Sequence, residues 1–166
     1  DANVGPYDAL ELGRVLAKRW CGRFLILNTP ALLPDARTRR TLLGLASVRS
    51  VVERLHGVQA ALVGVGTLYN SVFLERAILT DKDTARLAKA GAVGEICGRF
   101  YDRNGEECQT SYRQRVISIE FDDLRRAEES IAVVSGSDRT EAILGALRGG
   151  LIKSLVIDRA GAAALL

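Results

Sequence analysis

The sequence predicts one α/β domain, with a Rossmann-like, mostly parallel sheet and helices on both of its faces. Short apolar runs alternate along the chain with segments of helical period. The helical segments are long enough to serve as crossovers between parallel strands. Glycines follow several of the apolar runs, where such strands turn into helices. At 166 residues and 48% hydrophobic content, the chain fits a single domain over 1–166 with an ordinary core.

The first half of the chain carries clear helix signals. Leu12, Leu16 and Trp20 are spaced four apart and define one helix face. Asp35 and Ser47 stand where N-caps are expected. The predicted elements are a helix over 8–20, a buried strand over 23–27, helices over 36–45 and 48–57, and a strand over 60–66.

The second half continues the alternation. Asp81 is predicted to cap one helix and Asp122 to start another. The predicted elements are helices over 71–78 and 81–90, a strand over 114–120, a short helix from Asp122, a strand over 130–136, a helix over 137–149, a strand over 154–158 and a helix over 160–166. Between them, Ala90–Gly105 combines four glycines with two isolated carboxylates and has no regular period.

Composition excludes several classes of function. The net charge of +3 is small, and the basic residues are scattered among acids, which is typical of solvated helix faces and not of a nucleic-acid stripe. One histidine and three widely spaced cysteines without a CxxC motif predict no zinc site, and no cofactor is expected. The three cysteines are expected to be free, mostly buried thiols in a reducing cytoplasm. No apolar run approaches the roughly 18 residues of a membrane span, so no membrane contact is expected.

Three glycine-bearing loops are the candidate ligand site, because ligands of such sheets bind beyond the carboxyl ends of the strands. They span 64–70, 91–98 and 135–140. In the first, Gly64 and Gly66 would let a ligand approach the backbone closely, although a tight structural turn explains them at least as well and is the favoured interpretation. This loop lacks the third glycine of a dinucleotide motif and the lysine of a P-loop.

The third loop has the features of an anion site. Backbone N–H groups at a helix start, with Arg139 beside them, would suit a phosphate. The alternative is that Ser137 only caps the helix and Arg139 is solvated. Both interpretations follow equally from the residues alone.

Isolated polar residues leave further alternatives. Glu95 either accepts local backbone N–H groups or holds a ligand hydroxyl. Asp102, in "DRNG", is typical of a turn. His56 is expected near a helix C-terminus as a partner of the helix dipole and not as a catalyst. A carboxylate-base enzyme acting on a sugar phosphate remains an open alternative.

The whole chain resembles the sugar-binding effector domain of the SorC family of bacterial transcriptional regulators. The most specific match is "AGAVGEICGRFYDRNG", which resembles the family's "GAVGDI" followed by an aromatic residue, Asp and Gly. Further matches are "NTPALLPD", "RRTLLGLASVRSVVE", "ALVGVGT" and "IAVVSGSDRTEAILGALRGGLIKSLVIDRAGAAALL".

The resemblance implies a fold similar to the ribose-phosphate isomerase and glucosamine-phosphate deaminase group. It also implies a phosphorylated sugar or related metabolite as effector, a homo-oligomer, and no catalysis. Operator DNA would be bound only through a helix-turn-helix domain, expected upstream of Asp1 together with the first strand of the effector domain and its Gly-Arg-Thr phosphate loop.

The resemblance also assigns roles to residues. The family's acid for ligand hydroxyls falls on Glu95, and its basic residue for the phosphate falls on Arg139, where arginine replaces the usual lysine. The expected ligand-binding residues are Gly64, Gly66, Thr67, Glu95, Cys97, Gly136, Ser137 and Arg139. The competing functions are a sugar-phosphate isomerase or deaminase of the same fold, and a scaffold without a small ligand.

Overall fold

A computed structural model describes residues 9–70 and 78–166 of the chain. Its helices are α1 (Ala9–Arg19), α2 (Ala36–Gly44), α3 (Ala46–Leu55), α4 (Asp81–Lys89), α5 (Phe121–Arg126), α6 (Thr140–Arg148) and α7 (Arg159–Leu165). Its strands are β1 (Ala60–Val63), β2 (Gly94–Ile96), β3 (Arg99–Tyr101), β4 (Glu129–Val134) and β5 (Ser154–Ile157), and a 3₁₀ turn covers Arg113–Arg115.

The main sheet is parallel, as predicted. Its three strands lie in the order β1-β4-β5, with Val63 opposite Ala132 and Val134 opposite Ile157. Helices connect and flank these strands, which confirms the α/β class. A separate antiparallel hairpin, β2–β3, was not predicted. It lies within Ala90–Gly105, where two three-residue strands are too short to produce a visible alternation.

The core lies on one face of the parallel sheet. Ala132 and Val134 of β4 are buried there against Ala142, Ile143 and Ala146 of α6. Small residues on α6 allow the helix to approach the strands closely, and the longer side chains fill the space around them. A second apolar cluster forms around Phe100 and Tyr112, whose rings meet edge to face at 5.4 Å.

Two predicted strands are wrong. Residues 23–27 are irregular, and no backbone hydrogen bond within the described residues joins them to a neighbouring strand. An apolar run forms a strand only where another strand supplies its hydrogen bonds. Residues 114–120 form a 3₁₀ turn and an irregular stretch with one bridge, Leu32–Val116. Val116, Ile117 and Ile119 are buried, but burial alone does not create a ladder of backbone hydrogen bonds.

Several predicted boundaries are also corrected. The Asp35 carboxylate caps α2 by accepting the Thr38 N–H at 2.7 Å, as expected. Ser47 does not cap α3, which begins at Ala46 after Leu45. Thr80, and not Asp81, caps α4, and α5 begins at Phe121, one residue before the predicted start. The predicted helix over 71–78 falls almost wholly outside the described residues.

The turn after β3 packs directly on the end of α6. The Asp102 carboxylate accepts the N–H groups of Asn104 and Glu106 at 2.9 and 3.0 Å, which confirms the predicted turn. Gly105 has a φ of +77°, and a Cβ on it would lie 2.5 Å from the Cα of Gly149. These two glycines therefore permit backbone-to-backbone contact.

Candidate functional site

The glycine loop after β1 is tied to the β2–β3 hairpin. Gly66 and Glu95 exchange two backbone hydrogen bonds, both 2.9 Å. The Thr67 hydroxyl then accepts the N–H groups of Tyr69 and Asn70 at 3.2 and 2.9 Å. The loop is thus an ordered turn. A Cβ on Gly64 would meet nothing within 4 Å, so the space beside that backbone is open.

The hairpin tip holds the predicted acid. Cys97 and Gly98 both have positive φ, 53° and 82°, which gives a two-residue turn of the primed kind. The Glu95 carboxylate closes this turn by accepting the Gly98 N–H through Oε1. Burial, only partly offset by that bond, raises the pKa of Glu95 above its ordinary value. Within the described residues, Oε2 of Glu95 has no hydrogen-bond partner.

The loop after β4 differs from its prediction. Helix α6 begins at Thr140 and not at Ser137, with Arg139 in the N-cap position and no side-chain cap. Gly136 has a φ of +87°, and its N–H donates to the Asp158 carboxylate at 2.9 Å. This anchor holds the chain in a turn, so the helix starts three residues later.

Arg139 is held by its own loop. Its Nη1 donates to the Ser135 carbonyl at 2.6 Å and lies 3.1 Å from Asp138 Oδ1. The side chain is 20% exposed, so it is neither buried nor freely solvated. The remaining guanidinium N–H groups make no hydrogen bond within the described part of the chain.

One side-chain pair connects the two loops across the carboxyl end of the sheet. Asn70 Nδ2 donates to Asp138 Oδ2. This hydrogen bond is the main reason that the pKa of Asp138 lies below its ordinary value, with Arg139 as a smaller cause. The pair therefore favours a charged carboxylate at the entrance between the loops.

A cavity of about 530 Å³ lies between these loops and the chain just before β2. Its polar lining includes Thr67, Asn70, Ser137, Asp138, Thr140 and Glu141, and its apolar lining includes Leu68, Tyr69, Ala92, Val93 and Ala142. Of the eight residues predicted to bind ligand, Thr67 and Ser137 line this cavity; Gly64, Gly66, Glu95, Cys97, Gly136 and Arg139 are in the segments around it and do not line it.

Three polar residues of this region were missed by the sequence analysis. Asn70 and Asp138 join the loops, and nothing local to either residue indicates the other, 68 positions away. Asp158 carried a usable signal, because it follows an apolar strand and precedes a helix. Its carboxylate accepts the Gly161 N–H at 2.8 Å as the cap of α7 and also accepts the Gly136 N–H.

His56 lies away from the loops. It is the C-cap of α3, as predicted, and its Nδ1 lies 3.1 Å from Oδ2 of the buried Asp123. Over residues 9–70 and 78–166, no group of three or more histidine, cysteine or acidic side chains is placed to hold a metal ion. No helix in these ranges is both long and apolar enough to cross a membrane.

A parallel α/β sheet with a cavity between the loops at its carboxyl edge defines a small-molecule-binding domain. Over residues 1–166 the chain matches the family described as "Putative sugar-binding domain". The chain therefore belongs to this sugar-binding family, and its resemblance to SorC-type regulators is confirmed.

Named relatives agree with this membership. The chain is 34% identical over 164 residues to the deoxyribonucleoside regulator of Bacillus subtilis, covering 99% of this chain and 52% of that protein. It superimposes with a TM-score of 0.88 on a DeoR family transcriptional regulator from Listeria monocytogenes, at 28% identity, covering 98% of this chain and 66% of that one.

The full-length sorbitol operon regulator SorC from Klebsiella pneumoniae also gives a TM-score of 0.88, at 29% identity, covering 96% of this chain and 51% of that one. The chain spans about half the length of the curated relatives it matches. It corresponds to the sugar-binding, effector-binding part of such transcriptional regulators.

Proposed function

We propose that residues 1–166 form a single effector-binding domain that binds a phosphorylated sugar or related metabolite and controls a separate helix-turn-helix domain. The observation that carries the proposal is the cavity at the carboxyl edge of the sheet, where Thr67 and Ser137 face the same space. Its volume of about 530 Å³ is within the range of small-molecule sites. The domain acts as a cytoplasmic sensor and not as an enzyme, in keeping with relatives named as regulators.

Glu95 is the proposed partner of the sugar hydroxyls. Its carboxylate is buried, carries one hydrogen bond from Gly98 and has a raised pKa. A ligand hydroxyl that donates to Oε2, which has no partner among the described residues, would stabilise the charged form and lower that pKa. Ligand binding is therefore expected to release a proton near the raised pKa and to strengthen as the pH rises through it.

Arg139 is the proposed partner of the phosphate. Besides the N–H group that contacts Ser135 and Asp138, its guanidinium has N–H groups without an acceptor among the described residues. A phosphate would bind these donors in the two-pronged geometry that arginine favours. The Asp138 carboxylate beside it would repel the phosphate, so Asp138 limits the affinity for phosphorylated ligands.

A homo-oligomer is proposed on the basis of the second face of the parallel sheet. Leu62, Val133 and Val156 are 53, 50 and 56% exposed there, and Val133 pairs with Val156 in register. Contiguous exposed apolar surface is typical of interaction sites. An effector that binds one arrangement of the assembly more tightly than another would pass its signal to the DNA-binding domains.

The test is a thermal-shift and calorimetry screen of the full-length protein against sugars, each with and without a phosphate. We expect one or more phosphorylated compounds to raise the melting temperature. Arg139→Gln should weaken binding of the phosphorylated form at least tenfold, and Asp138→Asn should strengthen it. Glu95→Ala should weaken both forms of the sugar.

Arg49→Gln provides the matched control, because Arg49 is an exposed residue of α3 whose one ion pair in the described part of the chain is with Glu53. It removes the same charge and should bind every ligand as the parent does. A flat response of the parent to the whole panel would contradict the proposal. Turnover of a sugar phosphate by the purified protein would instead support the isomerase or deaminase alternative.

A further inference from the structure

A second polar cleft, of about 640 Å³, lies apart from the proposed sugar site and shares no lining residue with it. Three arginines, Arg39, Arg99 and Arg113, and one acid, Glu120, line this cleft. Arg39 comes from α2, Arg99 from β3 and Arg113 from the 3₁₀ turn. The cleft therefore joins three elements that are distant in sequence, through cationic side chains.

The cleft holds more positive than negative charge. Arg99, with only 1% of its side chain exposed, pairs with Glu107 at 2.7 Å and with Glu120 at 2.5 Å. Oε1 of the same Glu120 is 3.3 Å from Arg39 Nη2, and Glu107 Oε2 is 3.3 Å from Arg113 Nε. Three guanidinium groups thus share two carboxylates, which leaves one positive charge without a counter-ion among the residues that the structure describes.

Two of the guanidinium groups keep unused donors. Arg39 donates from Nε to the Val116 carbonyl at 2.6 Å and from Nη2 to Glu120. Arg113 uses Nη1 for Gln109 and Nε for Glu107. In the described part of the chain, Nη1 of Arg39 and Nη2 of Arg113 have no acceptor. Both side chains are partly exposed, at 25 and 38%.

A hydroxyl group in the lining is also unused. Thr110 is a lining residue whose buried Oγ1 has no hydrogen-bond partner in the described part of the chain, although a buried hydroxyl normally has one, so turning the side chain toward an anion in the cleft would break no hydrogen bond there. The neighbouring Ser111 hydroxyl accepts a hydrogen bond of 3.3 Å from Nη1 of a fourth arginine, Arg86. These unused hydrogen-bond donors suit a negatively charged ligand that is rich in hydrogen-bond acceptors.

We propose that this cleft is a second binding site, which takes a small oxyanion bearing a phosphate or a carboxylate. The anion accepts hydrogen bonds from Arg39, Arg113 and the Thr110 hydroxyl, and it neutralises the uncompensated charge. Because Arg39 is on α2 and Arg113 follows the hairpin, the bound anion links these two parts of the domain. This site does not depend on the sugar site proposed above.

The experiment titrates the full-length protein with inorganic phosphate and, separately, with citrate, at constant ionic strength maintained with chloride. Thermal shifts measure affinity, and the Nε–H signals of the arginines in ¹H–¹⁵N spectra report which side chains respond. We expect the signals of Arg39 and Arg113 to move. A response to phosphate alone, to citrate alone or to both identifies which oxyanion the cleft accepts, and each supports the proposal.

Variants separate the two sites. Arg113→Gln and Thr110→Val should each weaken anion binding about tenfold or more, whereas Arg49→Gln should have no effect. Thr110→Val is informative because the lost hydroxyl has no hydrogen-bond partner within residues 9–70 and 78–166, so the variant should remain folded. Arg139→Gln removes the proposed phosphate partner of the sugar site and should leave the response at the cleft intact.

Three results would overturn the assignment. The first is that neither anion produces a thermal shift. The second is that Arg113→Gln and Thr110→Val bind both anions as well as the parent does. The third is that Arg139→Gln abolishes the whole response. The last result would locate all anion binding at the sugar site and leave the proposed function standing.

Discussion

Gly66 and Glu95 are joined by a pair of backbone hydrogen bonds, each 2.9 Å, which place the loop after β1 beside the β2–β3 hairpin. This contact holds the backbone of Glu95 beside a loop whose next residue, Thr67, lines the cavity. Charge on Glu95, ligand binding and local stability should therefore be coupled.

The raised pKa of Glu95 predicts a specific pH dependence. A carboxyl whose pKa is higher in the folded than in the unfolded protein favours folding most strongly below its ordinary value, and this contribution is lost as the pH rises through the raised pKa. Glu95→Gln keeps the shape but never ionises. We expect the variant to unfold at a higher temperature than the parent near pH 8, with a smaller difference near pH 4. Thermal unfolding measured across this range checks the prediction, and parallel pH profiles would contradict it.

The contact between Gly105 and Gly149 leaves no room for a side chain. A Cβ on Gly149 would lie 2.6 Å from the Gly105 Cα. Gly149→Ala should therefore lower the free energy of unfolding by about 1–3 kcal/mol, the usual cost of overpacking. Gly44→Ala is the control, because a Cβ there meets nothing within 4 Å. Urea unfolding of both variants is the measurement, and equal stability of the two would show that the turn can move away.

Arg99 is a buried cation with two acidic partners. Arg99→Ala truncates a fully buried side chain and removes its bonds to Glu107 and Glu120, which keep Arg113 and Arg39 as partners, and it should cost about 2–5 kcal/mol of stability. Arg103, in the same hairpin region, pairs with Glu141, but its side chain is 72% exposed. Arg103→Ala should change stability by about 0.5 kcal/mol or less. Chemical denaturation tests the contrast; a loss below about 1 kcal/mol for Arg99→Ala would rule out this account of the network.

The hydroxyl of Tyr101 anchors the hairpin to α6. It donates to the Ala142 carbonyl at 3.0 Å in the core, and burial raises the pKa of this phenol. Tyr101→Phe should cost about 0.5–1.5 kcal/mol, the net value of one such hydrogen bond. Tyr69→Phe, at an exposed position, should be nearly neutral. Calorimetric melting of the two variants checks this, and an unaffected Tyr101→Phe would show that the bond contributes nothing.

Local sequence signals predicted much of the fold. Apolar runs followed by glycine located β1 and β4, and the "DRNG" pattern located the Asp102 turn, because these features depend on neighbouring residues. The strand predicted over 23–27 does not form, because strand formation depends on more than neighbouring residues. Its apolar residues meet the local requirement, but a strand also needs a partner, and pairing is not encoded in the segment itself.

The candidate site was also predicted only in part. Thr67 and Ser137 were expected at the carboxyl edge of a parallel sheet, and both line the cavity there. Their bridge, Asn70 to Asp138, could not be foreseen, because it joins residues 68 positions apart. The helix start at Thr140 was missed because Asp158, the residue that follows β5, holds Gly136 in a turn.

The α/β class, the parallel strands and the glycine loops could be predicted from local sequence, since periodicity and turn chemistry act over a few residues. Which loops meet, which donors of Arg39 and Arg113 stay unused and how Glu95 is buried could be read only from the folded chain. These properties arise from contacts between distant segments, and packing sets them after the local elements have formed.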